Sequence, residues 1–351
     1  MNRRRRCNRR NAFVRITLTA TLALATLATH TTPATADEVN VYSYRKPQLI
    51  QPMFDAFTAD TGIRVNAVFA KDGMLERLRN EGANSPADLV FTVDIGRLSD
   101  LKNAGLTQPV ESSAIARSIP ATVRDPEHHW FGLTARARVL VTAAERVERG
   151  AIARYEDLAE PRWRGRVCSR SGKHAYNVAL TAAMIERHGA DAAQAWLAAV
   201  KANLARTPQG NDRAQVKAIA EGVCDVAAIN HYYMHLMVSA DDEQKAWADA
   251  VDVVFPNQDG RGAHMNISGM AMTRHAPNRA GALKLMEFLA GARAQRMYAQ
   301  VNGEYPVNEQ IEIGGYLQRL GAFKRDTVAL AQVASHRAEA SKMADRVGYN
   351  D

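Results

Sequence analysis

Residues 39 to 70 change their apolar period twice, and that change constrains the fold more than any other feature of the chain. In "VNVYSY" Val39 and Val41 alternate with polar neighbours, the period of two that marks a strand. In "KPQLIQPMFDAFTADTG" Leu49, Ile50, Met53, Phe54 and Phe57 share one face, so the stretch reads as a helix opened near Pro47 and ended by Gly62. "IRVNAVFA" is a strand again, "GMLERLRNEG" a second helix and "ADLVFTVD" a third strand. Strand, helix, strand, helix, strand begins an α/β domain.

The alternation continues through the strands "RARVLVTAAERV" and "GRVCSRSG", the helices "NVALTAAMIERHG" and "AAQAWLAAVKANLA", and "CDVAAIN". A strand near "GRGAHMNISGMAMTRH" and one amphipathic helix over "RAGALKLMEFLAGARAQRMYAQ" follow. There is no internal repeat and no long Pro, Gly or Ser linker, and 351 residues suffice for two domains of ordinary size. The pattern implies two α/β lobes joined by strands, with a ligand cleft between them at strand-to-helix junctions.

A formal charge of +8 raises the question of nucleic acid. Residues 1–36 carry seven arginines and no acid, so they hold +7 of it and leave +1 for the rest. Nucleic acid is therefore not an expected partner. The arginines precede an apolar segment from Ile16 to about Ala28 and then "TPATADE", where Ala34 and Ala36 give the small-x-small pattern. This is a secretory leader, residues 1–36, with cleavage expected after Ala36. Arg9-Arg10 leaves twin-arginine and general export both open. Cys7 has no lipobox around it, and no later stretch is apolar for long enough to cross a bilayer. The mature chain keeps Cys168 and Cys224; in an oxidising compartment two thiols form one disulfide, the alternative being two buried unpaired thiols.

Two junctions carry possible chemistry. In "CDVAAINHYYMHLM" a strand gives way to a helix at Tyr232 and Tyr233, with Asn230 as an expected N-cap. A phenol is neutral near pH 7, but a trivalent cation favours the phenolate, a hard donor suited to ferric iron. The alternative is two rings packed in a lobe interior. At the other junction Arg45 follows a strand and precedes a helix, an arrangement that suits a small oxyanion. Arg136 and Arg138 alternate along "TARARV", and Arg136 is the candidate to face the cleft. Asp94 is a possible acceptor for Arg45. His231 and His235 have the four-residue spacing of a metal pair but lack the accompanying Glu of a zinc peptidase. His128 and His129 read as loop residues, and His174 sits beside a possible anion-binding turn.

The segments "VNVYSYRKPQLIQPMFDAFTADTGIRVN", "SPADLVFTVDIGRL", "WFGLTARARVLV", "GRVCSRSGKHAYNV", "KANLARTPQGNDRAQVKAIAEGVCD", "INHYY", "NISGMAMTRHAPN" and "YPVN" resemble the periplasmic ferric-iron-binding proteins of bacterial importers over about residues 38 to 330. The first strand, ending Tyr-Ser-Tyr-Arg, looks like the subgroup that holds iron with a synergistic carbonate. The resemblance implies a two-lobed α/β periplasmic binding protein, class II and transferrin-lobe-like, with strands crossing between lobes. The lobe boundaries expected are 37–137 plus about 262–308, and 138–261 plus about 309–351.

It further implies Tyr232 and Tyr233 as metal ligands, Arg45 as the residue holding the anion, and Asn230 and Asn211 near that anion. The strand alternation adds Arg136 as a residue to help neutralise the anion, the alternative being a buried ion pair with a neighbouring carboxylate. Relatives commonly place a third tyrosine where this chain has Val141, so Val141 and Tyr44 are candidate site-wall residues. Ferric iron is then the cargo and carbonate or bicarbonate its companion. The partners implied are an inner-membrane ABC permease and its ATPase, for a periplasmic monomer. The competing expectation is a receptor of the same build for an anion, phosphonate or amine. An enzyme is the weakest reading, since Gly-x-Ser-x-Gly, the phosphate loop and His-Glu-x-x-His are all absent.

Overall fold

The computed structural model describes residues 38–70 and 72–351; the expected leader, its cleavage after Ala36 and Cys7 lie outside them. The N-terminal half of the fold runs β1 (Glu38–Ser43), α1 (Gln51–Thr61), β2 (Arg64–Phe69), α2 (Met74–Glu81), β3 (Leu89–Thr92), α3 (Ile95–Asn103), α4 (Ser113–Ser118) and β4 (Phe131–Ala143). Next come β5 (Val167–Cys168), α5 (Ala175–His188), α6 (Ala190–Ala202), α7 (Asp212–Ala220), β6 (Val226–Asn230), α8 (Tyr232–Val238), α9 (Asp242–Asp249), β7 (Val251–Val254) and β8 (Met265–Met272). The chain ends with α10 (Arg279–Ala290), α11 (Ala292–Asn302), β9 (Tyr305–Pro306), α12 (Gly315–Arg319), α13 (Leu330–Ser335) and α14 (Arg337–Arg346).

The period changes seen in the sequence become real elements with two local differences. Pro47 opens a three-residue 3-10 turn rather than the helix, and α1 starts at Gln51 with Pro52 in its first turn. Met53, Phe54 and Phe57 form its buried face, and Gly62 ends it in the left-handed region at φ 72°, where a Cβ would be strained. The long helix expected after Arg279 is two, because Gly291 is extended and breaks the i to i−4 ladder.

The strands join in the order β2-β1-β3-β8-β4-β6-β5, with β7 and β9 also pairing with β4. β1 is parallel to β2 and β3, as crossover helices require, and β8 runs antiparallel between β3 and β4. Thirteen-residue β4 organises the rest. Its first half, Phe131 to Ala137, pairs with β8, and from Arg138 onward it pairs with β6 and β7 instead. Where the partner changes, the Tyr155 hydroxyl donates to Arg138 O and accepts from His264 N at 3.0 Å, stitching the diverging backbones together. Gly269 of β8 lets that strand approach the start of β4: a Cβ there would sit 2.5 Å from Phe131 O.

Both faces of β1 and β3 are covered, one by the main apolar core and the other by Met74, Leu78 and Leu101. Cys168 and Cys224 are disulfide-bonded, tying the end of β5 to the residues before β6, its parallel neighbour. Among the described residues no helix is long and apolar enough to cross a membrane.

Candidate metal centre

β6 delivers Asn230, His231 turns the chain, and α8 begins at once with the two tyrosines. Their rings stack with centroids 4.6 Å apart. A third phenol meets them from α5: the Tyr176 hydroxyl lies 3.1 Å from that of Tyr232. Tyr176 is held at the start of its helix by His174, whose Nδ1 accepts the Tyr176 N–H at 3.2 Å as an N-cap. Sequence reading missed Tyr176. The available signal was its position: like the tyrosine pair, it opens a helix just beyond a strand, inside the segment "GRVCSRSGKHAYNV".

Arginines surround these phenols. Arg136, Arg138 and Arg170 place their guanidinium carbons 5.3, 5.9 and 5.1 Å from the Tyr176 ring centre. Arg136 and Arg138 lie two residues apart on β4 and so share a face of the strand, which turns both toward the Tyr176 ring. Arg138 donates to Asp212 Oδ2 at 2.9 Å, Asn230 Oδ1 at 3.2 Å and Asn177 Oδ1 at 2.8 Å; Arg170 takes the other Asp212 oxygen at 2.8 Å. Asp212 is fully buried, which raises a carboxyl's pKa, yet Arg138 and Arg170 outweigh burial and hold it below its ordinary value. Arg45 comes from the other side, ion-paired with Glu304 and donating to Ser268 Oγ at 2.7 Å. Arg136 shares that hydroxyl at 3.1 Å. Burial lowers the Arg45 pKa and Glu304 more than restores it, with Tyr232 within electrostatic reach.

Burial, reinforced by Tyr176, pushes Tyr232 well above the ordinary phenol value; burial first and Tyr176 next push Tyr233 up to about 12. The pair therefore keeps its protons until a strong cation displaces them. Asn230 Nδ2 and Asn266 Nδ2 are buried donors without a partner among the described residues, beside Arg136, Arg138 and Tyr176. Three convergent hydroxyls against a wall of donors suit a hard cation together with an oxyanion.

Other expected residues go elsewhere. Asn230 is not an N-cap: its carboxamide oxygen accepts from Arg138, and His231 occupies the cap position without a side-chain bond. Asn211 is exposed and caps α7, accepting the Ala214 N–H at 3.1 Å, while its neighbour Asp212 turns inward. Val141 is a fully buried core residue opposite Ala227, three register positions from Asn230, so it forms no site wall. Tyr44 accepts the Leu75 N–H at 3.2 Å and lies under Arg97 at 4.0 Å, lining a separate polar cleft of about 350 Å³ with Asp100 and Arg337. Asp94 caps α3 and lies 3.7 Å from Arg97 instead of meeting Arg45.

The histidines do not form a metal pair. His231 stacks on Tyr305 at 4.6 Å and accepts the Ala137 N–H, whereas His235 lies against Tyr316. His128 bonds Glu111 and His129 bonds Thr107.

The bacterial extracellular solute-binding protein profile matches residues 84–321. Iron uptake protein A1 of Synechocystis sp. is 42% identical over 320 residues, covering 91% of this chain and 89% of that protein. The apo ferric ion-binding protein A of Pasteurella haemolytica superposes with a TM-score of 0.86 at 49% identity, over 90% of this chain and 99% of that one. A Trichodesmium protein (IdiA, FutA) solved with iron and citrate gives a TM-score of 0.85 at 41% identity, over 89% and 99% of the two chains. The chain belongs to the bacterial extracellular solute-binding proteins, on their ferric-iron-binding branch.

Proposed function

We propose that this protein captures ferric iron through the phenolates of Tyr176, Tyr232 and Tyr233, with a small oxyanion, carbonate in our reading, completing the shell beside Arg45, Arg136 and Asn230. The observation that carries this is the convergence of three phenol oxygens, Tyr176 and Tyr232 being 3.1 Å apart, in a setting of buried guanidiniums. Phenols held above their ordinary pKa are poor anions alone and strong donors to a hard trivalent ion. Three phenolates and a bidentate anion supply five of the about six ligands such an ion takes, leaving room for water.

The relatives named above for iron uptake and ferric iron binding support the cargo, and the arginine-rich leader supports export to the periplasm. The cargo then passes to an inner-membrane ABC permease and its ATPase. β4, shared by two sets of partner strands, fits a hinge between lobes 37–137 plus about 262–308 and 138–261 plus about 309–351; closing them links anion-side and phenol-side groups.

The test is optical. Purified protein given ferric iron develops a visible tyrosinate band that strengthens with bicarbonate and is lost in the combined Tyr232→Phe, Tyr233→Phe variant. A colourless native protein would refute the cargo and favour a non-metal solute.

A further inference from the structure

The buried charges around the phenols form two linked ion clusters. Glu304 pairs with Arg45, and Ser268 joins Arg45 to Arg136 at 2.7 and 3.1 Å. Across the Tyr176 ring, Asp212 joins Arg138 and Arg170 at 2.9 and 2.8 Å. All six ionic side chains are buried. Asp94 lies near them, and Arg97 at 3.7 Å matches its charge, since the nearer partner of Arg97, Asp72 at 3.1 Å, is solvent-exposed. His174 and His231 each accept a backbone N–H at Nδ1, so neither imidazole adds a cation. Four guanidiniums against two carboxylates leave two positive charges.

Ferric iron held by three phenolates is neutral as a unit, so it leaves those two charges unmet. Net charge enclosed away from water is strongly disfavoured, and the companion anion is the remaining group that can cancel it. A dianion closes the count, a monoanion falls one short and a trianion exceeds it. The count turns on one carboxylate. The other donors of Arg45 go to neutral acceptors, Ser268 Oγ and Leu49 O at 3.4 Å, so Glu304 is the group that neutralises it.

We propose that Glu304 determines anion specificity: by neutralising Arg45 it sets at two the negative charge of the anion that enters with the iron. This rests on the three-phenolate reading given above. No contact between Glu304 and the iron is required; the carboxylate acts through Arg45.

The test competes carbonate against citrate, a dianion against a trianion, on iron-loaded native protein, Glu304→Gln and Glu304→Asp, read from the visible band. Intrinsic chelation by each anion cancels when the preference ratio is compared between variants. Glu304→Gln is expected to move the ratio toward citrate by about one to two orders of magnitude, the scale of one unit charge roughly 7 to 12 Å away at an effective dielectric of roughly 20. Glu304→Asp keeps the charge and stays near the native ratio. Arg170→Gln, which removes a positive charge on the far side of Asp212, moves the ratio toward carbonate, and decides the matter if Glu304→Gln fails to fold. An unchanged ratio in Glu304→Gln, or an equal shift in Glu304→Asp, overturns the proposal.

If native protein forms no coloured complex, the iron reading is what fails. Hydrogen phosphate titrated into iron-free protein then still reads the charge count: tighter binding by Glu304→Gln than by native supports it, and equal binding overturns it.

Discussion

Replacing Tyr176 with Phe isolates a single oxygen. The ring stays, and with it the packing of Arg136, Arg138 and Arg170 at 5.1 to 5.9 Å; the hydroxyl 3.1 Å from Tyr232 is lost. In the iron-free protein that is one hydrogen bond, worth about 1 kcal/mol, and a fall in Tm of about 2 °C. In the proposed iron complex it is one donor of three. Each phenol that binds iron must release a proton, so the affinity of the native site rises with pH in proportion to the phenols engaged. Between about pH 6 and 8, well below the ordinary phenol value near 10, Tyr176→Phe lowers the slope of log affinity against pH by one unit. The loss of affinity exceeds the roughly 10–100-fold that removal of an outer-sphere partner costs. The assay is competition for ferric iron against citrate across that pH range, followed by the visible band, with Tyr44→Phe as a control that leaves the slope unchanged. Equal slopes for native protein and Tyr176→Phe would refute the three-phenolate site, because the proton count has no other source of difference between the two.

Burial holds His231 and His264 at about 4, below their ordinary 6.5. The unfolded chain therefore takes up protons first, and stability complete above pH 6.5 falls as pH drops through about 4, by at most about 3 kcal/mol per histidine. A Tm unchanged between pH 7 and 4.5 would contradict this. Reducing Cys168–Cys224, 56 residues apart, costs about 4 kcal/mol by the loop-entropy estimate, measured as Tm with and without reductant. Asn211→Ala loses the α7 cap and about 1 kcal/mol while iron affinity stays within about twofold; a tenfold loss of affinity would return Asn211 to the anion.

The elements were legible wherever burial is a local property. Val39 and Val41 alternate because one face of β1 packs on the main core, and the Met53, Phe54 and Phe57 stripe repeats because one face of α1 does the same. Boundaries failed where a single backbone torsion decides, as at Gly291, whose extended conformation divides a continuous apolar stripe into α10 and α11. Asn211 and Asp212 show the same limit at the site: adjacent polar residues at a helix start, one turned to the cap and one to two arginines, with nothing local to choose between them.

The sequence alone determined an α/β chain with an arginine-rich start, a paired-tyrosine junction and two cysteines able to bond. Tertiary structure decided which residues meet. Tyr176 reaches Tyr232 across 56 residues and Arg45 reaches Ser268 across 223, and both encounters depend on the strand order and on where β4 exchanges its partners. Periodicity records how deeply a side chain is buried; it holds no record of which distant side chain is buried beside it. That neighbour fixes whether a phenol can lose its proton, whether an arginine is already neutralised, and whether Val141 faces a cleft or the core.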